Sequence, residues 1–252
     1  MAFELYAACA CSVGRLRGTN EDNFYFSGQC LEEVNTGLSA PLTMDCAVEP
    51  PVCVAVFDGM GGEEYGEAAS HAAAEKLRSI AAEGLDLRSG EEALGRLCDD
   101  LNLAVVMEKR ALRSERTGTT MAMVCFDHRQ IYVCNVGDSR IYRLRDGELR
   151  QLSRDHVRQL VIPGQSKAPL SQYLGVDPDE LRLTPAIVKG KLKLADTYLL
   201  CSDGLTDMVG EEEIRDILQA EPVTRSCAAA LVDAALKNGG RDNVTVIVCS
   251  IV

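Results

Sequence analysis

The chain has 252 residues, 46% of them hydrophobic and 25% charged, which is enough apolar material for one large domain or two small ones with a substantial core. Its formal net charge of -12 argues against a nucleic-acid binder, which needs surplus Lys and Arg to displace counterions, and obliges any site for an anionic substrate to supply its own local positive charge. No apolar run approaches the ~20 residues of a membrane span, and Glu4 stands where a signal peptide carries basic residues, so a cytoplasmic protein with no membrane partner is expected.

In chain order, apolar or alternating runs predict strands at about 4–12, 22–27 and 52–57. Ala, Leu and Glu at helical spacing then predict helices at about 64–83 and 90–113. Strands follow at about 119–126, 130–136, 140–145, 181–188 and 197–202, then helices at about 211–219 and 224–237, the second closed by Asn238, Gly239 and Gly240, and a last strand at 243–251. Residues 28–50 read as a loop or long hairpin connection, and residues 153–180, with three prolines and no sustained period, read as a functional flap. Helices arrive in pairs between groups of strands, which disfavours a doubly wound parallel sheet and favours sheets covered by helices. With no repeat, low-complexity tract or Pro-rich linker, residues 1–252 read as a single domain.

The eleven cysteines are odd in number and mostly embedded in apolar runs, as Cys53, Cys125, Cys134, Cys201 and Cys249 are, so they read as reduced, buried small hydrophobes. Acids recur where apolar strands end. Asp58 follows "VCVAVF", Asp203 follows "TYLLCS", Asp138 follows "IYVCNVG", Asp242 precedes "NVTVIV", and Glu21 and Asp22 precede "NFYF". Each alone fits ordinary turn chemistry. As a set, carboxylates beside fully apolar strands need a shared compensating charge, and an oxygen-only donor set without clustered His or Cys-x-x-Cys suits Mg2+ or Mn2+ better than Zn2+. The three histidines, at 71, 128 and 156, are scattered and read as surface or capping residues.

Two rival motifs fail. "GMGGEEYG" has Glu64 where a dinucleotide-binding loop needs its third glycine. "CACSVGR", "CSVGRLR" and "CNVGDSR" fit a Cys-x5-Arg spacing, yet none opens a helix and Cys9 and Cys134 fall inside predicted strands, so a thiolate nucleophile is not expected.

The ordered set "RGTNED", "VAVFDGMGG", "RTGTTMAMV", "NVGDSRIYRL", "LLCSDGLTDMV" and "GGRDNVTVIV" resembles the metal-dependent Ser/Thr protein phosphatases of the type 2C family from about residue 8 to the last strand. Met60, where the eukaryotic pattern commonly has His, is similar to the bacterial branch. The resemblance implies an α+β fold, a central β-sandwich of two mixed, mainly antiparallel sheets flanked by pairs of helices in four layers. It implies that Asp58 is shared by two cations beside the Gly59 carbonyl, that Asp203 and Asp242 complete the first metal site, that Glu21 holds the second ion partly through water, and that Asp22 orients metal-held water. Asp138 with Asp203 resembles a third, weaker metal site within reach of Asp207, and Arg17 matches the arginine that grips the substrate phosphate. "TGTT" at 117–120 reads as structural, a tight turn with locally bonded hydroxyls.

The implied activity is hydrolysis of phosphoserine and phosphothreonine on proteins by water activated between two Mg2+ or Mn2+ ions, with no phosphoenzyme. Implied partners are phosphoprotein targets of a cognate Ser/Thr kinase and the kinase itself, met by a monomer. Met60 cannot donate a proton, and the flap is shorter than bacterial relatives lead one to expect. A silent relative acting as a binding module and a two-metal phosphodiesterase remain as alternatives.

Overall fold

The computed structural model describes residues 3–60, 65–158, 168–220 and 225–252. Its elements run β1 (Glu4–Ser12), β2 (Asp22–Tyr25), β3 (Leu42–Ala47), β4 (Val52–Asp58), α1 (Gly66–Glu83), α2 (Glu91–Leu112), β5 (Met121–Asp127), β6 (Gln130–Val136), β7 (Arg140–Arg145), β8 (Glu148–Gln151), β9 (Ala186–Lys191), β10 (Thr197–Cys201), α3 (Asp203–Thr206), α4 (Glu211–Ala220), α5 (Arg225–Lys237) and β11 (Val244–Ile251). One sheet has the order β3-β1-β11-β10-β7-β8 and the other β2-β4-β5-β6-β9.

Period-two alternation sorts the strands' side chains into two layers each. On β1, Leu5, Ala7, Cys9 and Cys11 point between the sheets, where they meet Val54 and Val56 of β4 and Ile247 and Cys249 of β11. Ala8 and Ala10 point the other way, onto the layer that α4 and α5 cover with Ile214, Leu218, Leu231 and Ala235. The five-stranded sheet does the same, sending Cys53, Ala55 and Phe57 out toward Ala73, Leu77, Leu94 and Leu101 of α1 and α2. The result is the expected four-layer arrangement of helices, sheet, sheet and helices.

Every pairing between strands of the described residues is antiparallel, as the expected mainly antiparallel sheets require, with no parallel pair among them. The helix pairs explain this. One crossover helix returns the chain to the opposite end of a sheet and gives a parallel neighbour. Two successive helices go out and come back, so β5 starts beside the end of β4, with Val56 opposite Ala122, and β11 starts beside the end of β10, with Cys201 opposite Val246.

Three strand expectations change. Residues 28–50 hold β3, whose half-exposed, charged sequence hides its pairing with β1, and β8 is a four-residue hairpin return too short to show a period. β9 lies later than the expected 181–188, because a turn at 178–180 and an irregular stretch at 181–185 precede Ala186 at the sheet edge. The expected helix starts at 64 and 224 lie outside the described residues, as does the centre of the flap at 159–167. The flap's described flanks bridge each other through Val157 and Leu170 and are pinned to the body where Leu174 bridges Thr119 and the His156 N–H donates to the Gly137 carbonyl.

The cysteines are all free, as expected. Cys98 of α2 and Cys134 of β6 touch, with 3.3 Å between sulfurs in the layer under α2. Burial and neighbouring thiols hold Cys134 well above the ordinary thiol range, and burial does the same for Cys9, while Cys11 is pushed up to about 12. None of these three is a thiolate at neutral pH. Cys134→Ser should therefore lower stability by about 1–3 kcal/mol through an unsatisfied buried hydroxyl, while leaving phosphate-ester hydrolysis within about twofold, by denaturant titration and steady-state assay of the same preparation.

Candidate functional site

Antiparallel pairing explains why the strand-end acids meet. β2 begins where β4 ends, with Asp22 directly opposite Asp58. β6 ends beside the start of β5, with Val136 opposite Met121, and leads to Asp138. β10 ends where β11 begins, which brings Asp203 and Asp242 to the same end of the sandwich. Residues separated by as much as the whole chain are thus gathered at one end of the two sheets.

Close backbone approach completes the gathering. A Cβ on Gly59 would collide with the carbonyl oxygens of Gly66 and Glu21, and one on Gly204 with the carbonyl of Asn243. Gly59 also donates its N–H to the Glu21 carbonyl at 3.0 Å. Without side chains at these two points, the loop carrying Glu21, the end of β4 and the β10–β11 junction close to backbone contact.

The electrostatics are those of like charges in a confined place. Burial first, then Asp203, Asp22, Asp138 and Asp242, hold Asp58 well above the ordinary carboxylate range. Asp22, 1% exposed, is raised from 3.8 to about 7 by burial and by Asp203 and Asp242, although the hydroxyls of Thr245 and Ser202 donate to its Oδ2 at 2.7 and 2.8 Å. Glu21 is raised from 4.5 to about 7 by burial, against the pull of Arg17 and with the push of Glu67 and Asp242. One guanidinium enters the cluster. Arg17 Nη2 donates to Asp242 Oδ2 at 2.8 Å, so this cation pairs with an acid of the site rather than with a surface carboxylate.

The structure brings Asp22, Asp58, Asp138, Asp203, Asp242, Glu21, Gly59 and Arg17 into one neighbourhood. Asp207 stands one turn beyond Asp203 on α3, exposed to solvent, its N–H donating to the Asp203 carbonyl at 2.8 Å. Among the described residues no three His, Cys, Asp or Glu side chains already close into a coordinating cage. The acids are assembled with one arginine among them, and their mutual repulsion shows as raised carboxyl groups. The donor set nonetheless fits a hard divalent cation, since it is oxygen-only and charge-dense.

Several supporting residues escape a sequence reading. Asn243 accepts the Glu21 N–H at 2.8 Å and donates to the carbonyls of Val13 and Thr19, both at 2.9 Å, which ties the N-terminal loop to β11. The only signal for Asn243, Ser202 and Thr245 is a polar side chain inside otherwise apolar strands. "TGTT" is structural as expected, but its hydroxyls do not bond only locally. Thr119 Oγ1 donates to the Asp58 carbonyl at 2.9 Å, and Thr120 Oγ1 accepts the Asp58 N–H at 3.2 Å while sharing a hydrogen bond of 2.6 Å with Ser139. Asp58 is therefore clamped by its main chain, leaving its carboxylate free to point into the site. His156 serves as an anchor, its Nδ1 accepting the Gly137 N–H at 3.1 Å.

The raised carboxylates set a pH dependence. Without divalent cations, folded Asp22 and Glu21 hold protons that the unfolded chain has released between their ordinary values, 3.8 and 4.5, and about 7. Their contribution to stability is intact below about pH 4 and lost as the pH rises through about 7. The melting temperature of chelated wild-type protein should accordingly decline relative to that of Asp22→Asn across this window. Parallel pH profiles of the two proteins would contradict the cluster.

Comparison with known proteins agrees with this geometry. Residues 46–238 match the family described as Protein phosphatase 2C. Serine/threonine protein phosphatase PstP of Mycobacterium tuberculosis is 32% identical over 255 residues, covering 95% of this chain but only 43% of PstP, so the chain spans less than half the length of that relative. Serine/threonine phosphatase stp of Listeria monocytogenes is 33% identical over 251 residues, 93% of this chain and 91% of that protein. The catalytic domain of PstP in complex with two manganese ions superposes with a TM-score of 0.78 at 29% identity and 99% coverage of both chains. PppA, a T6SS regulatory component of Pseudomonas aeruginosa, gives a TM-score of 0.78 at 26% identity over 99% of this chain and all of that one. Fold, sequence and family match converge, and the chain belongs to the protein phosphatase 2C family.

Proposed function

We propose that the described residues form one catalytic domain that hydrolyses phosphoserine and phosphothreonine on proteins with the help of two Mg2+ or Mn2+ ions. The observation that carries this reading is the convergence of Asp22, Asp58, Asp138, Asp203 and Asp242 on one end of the sandwich, a charge density that only a cation partner makes favourable. Asp58, Asp203 and Asp242 would hold one ion, Asp58 with Glu21 and the Gly59 carbonyl the other. Asp138 and Asp207 with Asp203 would form a weaker third position. When bound, the cations supply a Lewis acid for the phosphoryl oxygens and a nucleophile from water at neutral pH.

The chain's own residues do the remaining work. Asp22, buried and fixed by Ser202 and Thr245, would orient water at the cluster. Arg17, with one arm on Asp242 and its side chain 35% exposed, can turn its other N–H groups to the phosphoryl oxygens and orient the ester. Met60 has no proton to give, so the leaving alkoxide takes one from water at the mouth of the site. The cellular setting consistent with this chemistry is the cytoplasm, where a monomer opposes a Ser/Thr kinase by acting on the kinase's targets and on the kinase. The two-metal phosphodiesterase is the weaker reading for a chain of net charge -12, and the retained acids weigh against a silent binding module.

Two experiments test the proposal. Chelation should abolish hydrolysis of an aryl phosphate and Mn2+ or Mg2+ should restore it, while Asp203→Asn or Asp242→Asn should each cost at least ~100-fold in kcat. Activity that survives exhaustive chelation overturns the reading. Arg17→Ala should raise KM for a phosphopeptide and lower kcat/KM by about 10- to 100-fold, the equivalent of a lost charge-assisted contact of about 1.5–3 kcal/mol, with Arg17→Lys recovering only part. Unaltered phosphopeptide kinetics and unaltered inhibition by inorganic phosphate would remove Arg17 from the site.

A further inference from the structure

The edge of the five-stranded sheet carries a second surface of unusual charge. Among the described residues β9 pairs only with β6, so none of their strands lies beside its outer backbone edge. At the end of β9, beside the start of β6, lies a groove of about 610 Å3, lined by Phe3, Arg129, Lys189, Gly190, Lys191 and Leu192, together with Gln130. It contains three cations and no carboxylate, in a chain with 26 basic and 38 acidic side chains.

These cations are uncommitted. No carboxylate of the described residues pairs with Arg129, Lys189 or Lys191, and the one contact of their charged heads is Lys189 over the Tyr132 ring at 5.4 Å. Nearby acids are occupied elsewhere. Asp127 and Glu49 face His128, and Asp196 is taken by Arg145, Tyr198 and the Lys193 N–H. Arg145 also donates to the Lys191 carbonyl at 3.4 Å, which steadies the end of β9.

Lysines on an edge strand often serve only to prevent like edges from pairing. That role accounts for the absence of self-complementarity here, since a second copy laid antiparallel along β9 would set lysine against lysine. The same charges invite a strand of opposite sign. Phe3 and Val188, the latter 44% exposed on β9, offer apolar surface, while Lys189 and Lys191 recur at the two-residue spacing of one strand face. We propose that this edge is a docking site for an extended protein segment in which acidic residues alternate with apolar ones, added to the sheet as a strand beside β9. Gln130, opposite Lys191, opens β6, and Val136, two residues before Asp138, closes it, so the dock stands about 20 Å from the acid cluster. It recruits its partner without touching the reaction centre, and its existence does not depend on the phosphatase reading.

The test uses the intact chain and a fluorescent, unphosphorylated peptide alternating Glu and Val, followed by anisotropy. Binding should weaken by at least about tenfold in Lys189→Glu/Lys191→Glu and in Arg129→Glu, and should decline as ionic strength rises. A peptide of alternating Thr and Val, and the Glu-Val peptide with alternate amides methylated, should bind at least about tenfold more weakly than the parent. Lys189→Ser/Lys191→Ser, which keeps the edge polar, guards against misfolding and should show an intermediate loss with an unchanged melting temperature. Equal binding by the charge-reversed variants, equal binding of the methylated peptide, or tighter binding of a single-stranded polynucleotide than of the peptide would overturn the proposal. Because no phosphate is present, this outcome is read separately from any failure of catalysis.

Discussion

Mutual repulsion among buried acids is the constraint around which this structure is arranged. Asp58 feels the charges of Asp22, Asp138, Asp203 and Asp242 at once, in a protein already at net charge -12. Nothing in a hydrophobic sandwich rewards such a cluster, and an unpaired carboxylate in low dielectric disfavours the fold. The surrounding architecture absorbs it by rigidity. Main-chain clamps on Asp58 from Thr119 and Thr120, the Asn243 tether on Glu21 and the hydroxyl pair on Asp22 fix the acids from behind, so repulsion is not relieved by drawing them apart. A site held open against its own field is ready for cations, with little reorganisation needed when they arrive.

The layering and the acids were legible in the sequence, for two different reasons. Long strands buried on both faces, such as "VCVAVF" and "TVIVCSI", announce themselves by composition, and an acid directly after such a run is conspicuous because burial makes it costly. Short or edge elements carry no such signal. β3 alternates half-buried and exposed residues, Met44 beside Asp45, and reads as loop until its pairing with β1 is seen. The strictly antiparallel sheets follow from the there-and-back path of paired helices, a global property that no window of sequence contains.

Residues that support the acids were the least legible part of the site. Ser202, Thr245 and Asn243 are small polar residues that are common anywhere, and their meaning lies in partners that are distant in sequence. The geometry also changed the reading of Arg17. Its partner is Asp242, near the far end of the chain, so the cation that greets a phosphate is held by an acid of the same cluster.

The hydroxyls that grip Asp22 belong to a different sheet from Asp22 itself. Ser202 follows β10 and Thr245 lies on β11, both in the six-stranded sheet, whereas Asp22 opens β2 of the five-stranded one. Most of the interlayer is apolar, built of Val, Ile, Leu, Phe, Ala and Cys with Tyr198 among them, and contacts of that kind set a distance between sheets far more firmly than they set an alignment. The two bonds to one oxygen act as a dowel. They register one sheet against the other at the end where the acids meet, so any slip between the layers would be felt first as misalignment of the carboxylates. The sandwich and its reaction centre thus share a mechanical datum, at which the hydroxyls of one sheet hold an acid of the other in step.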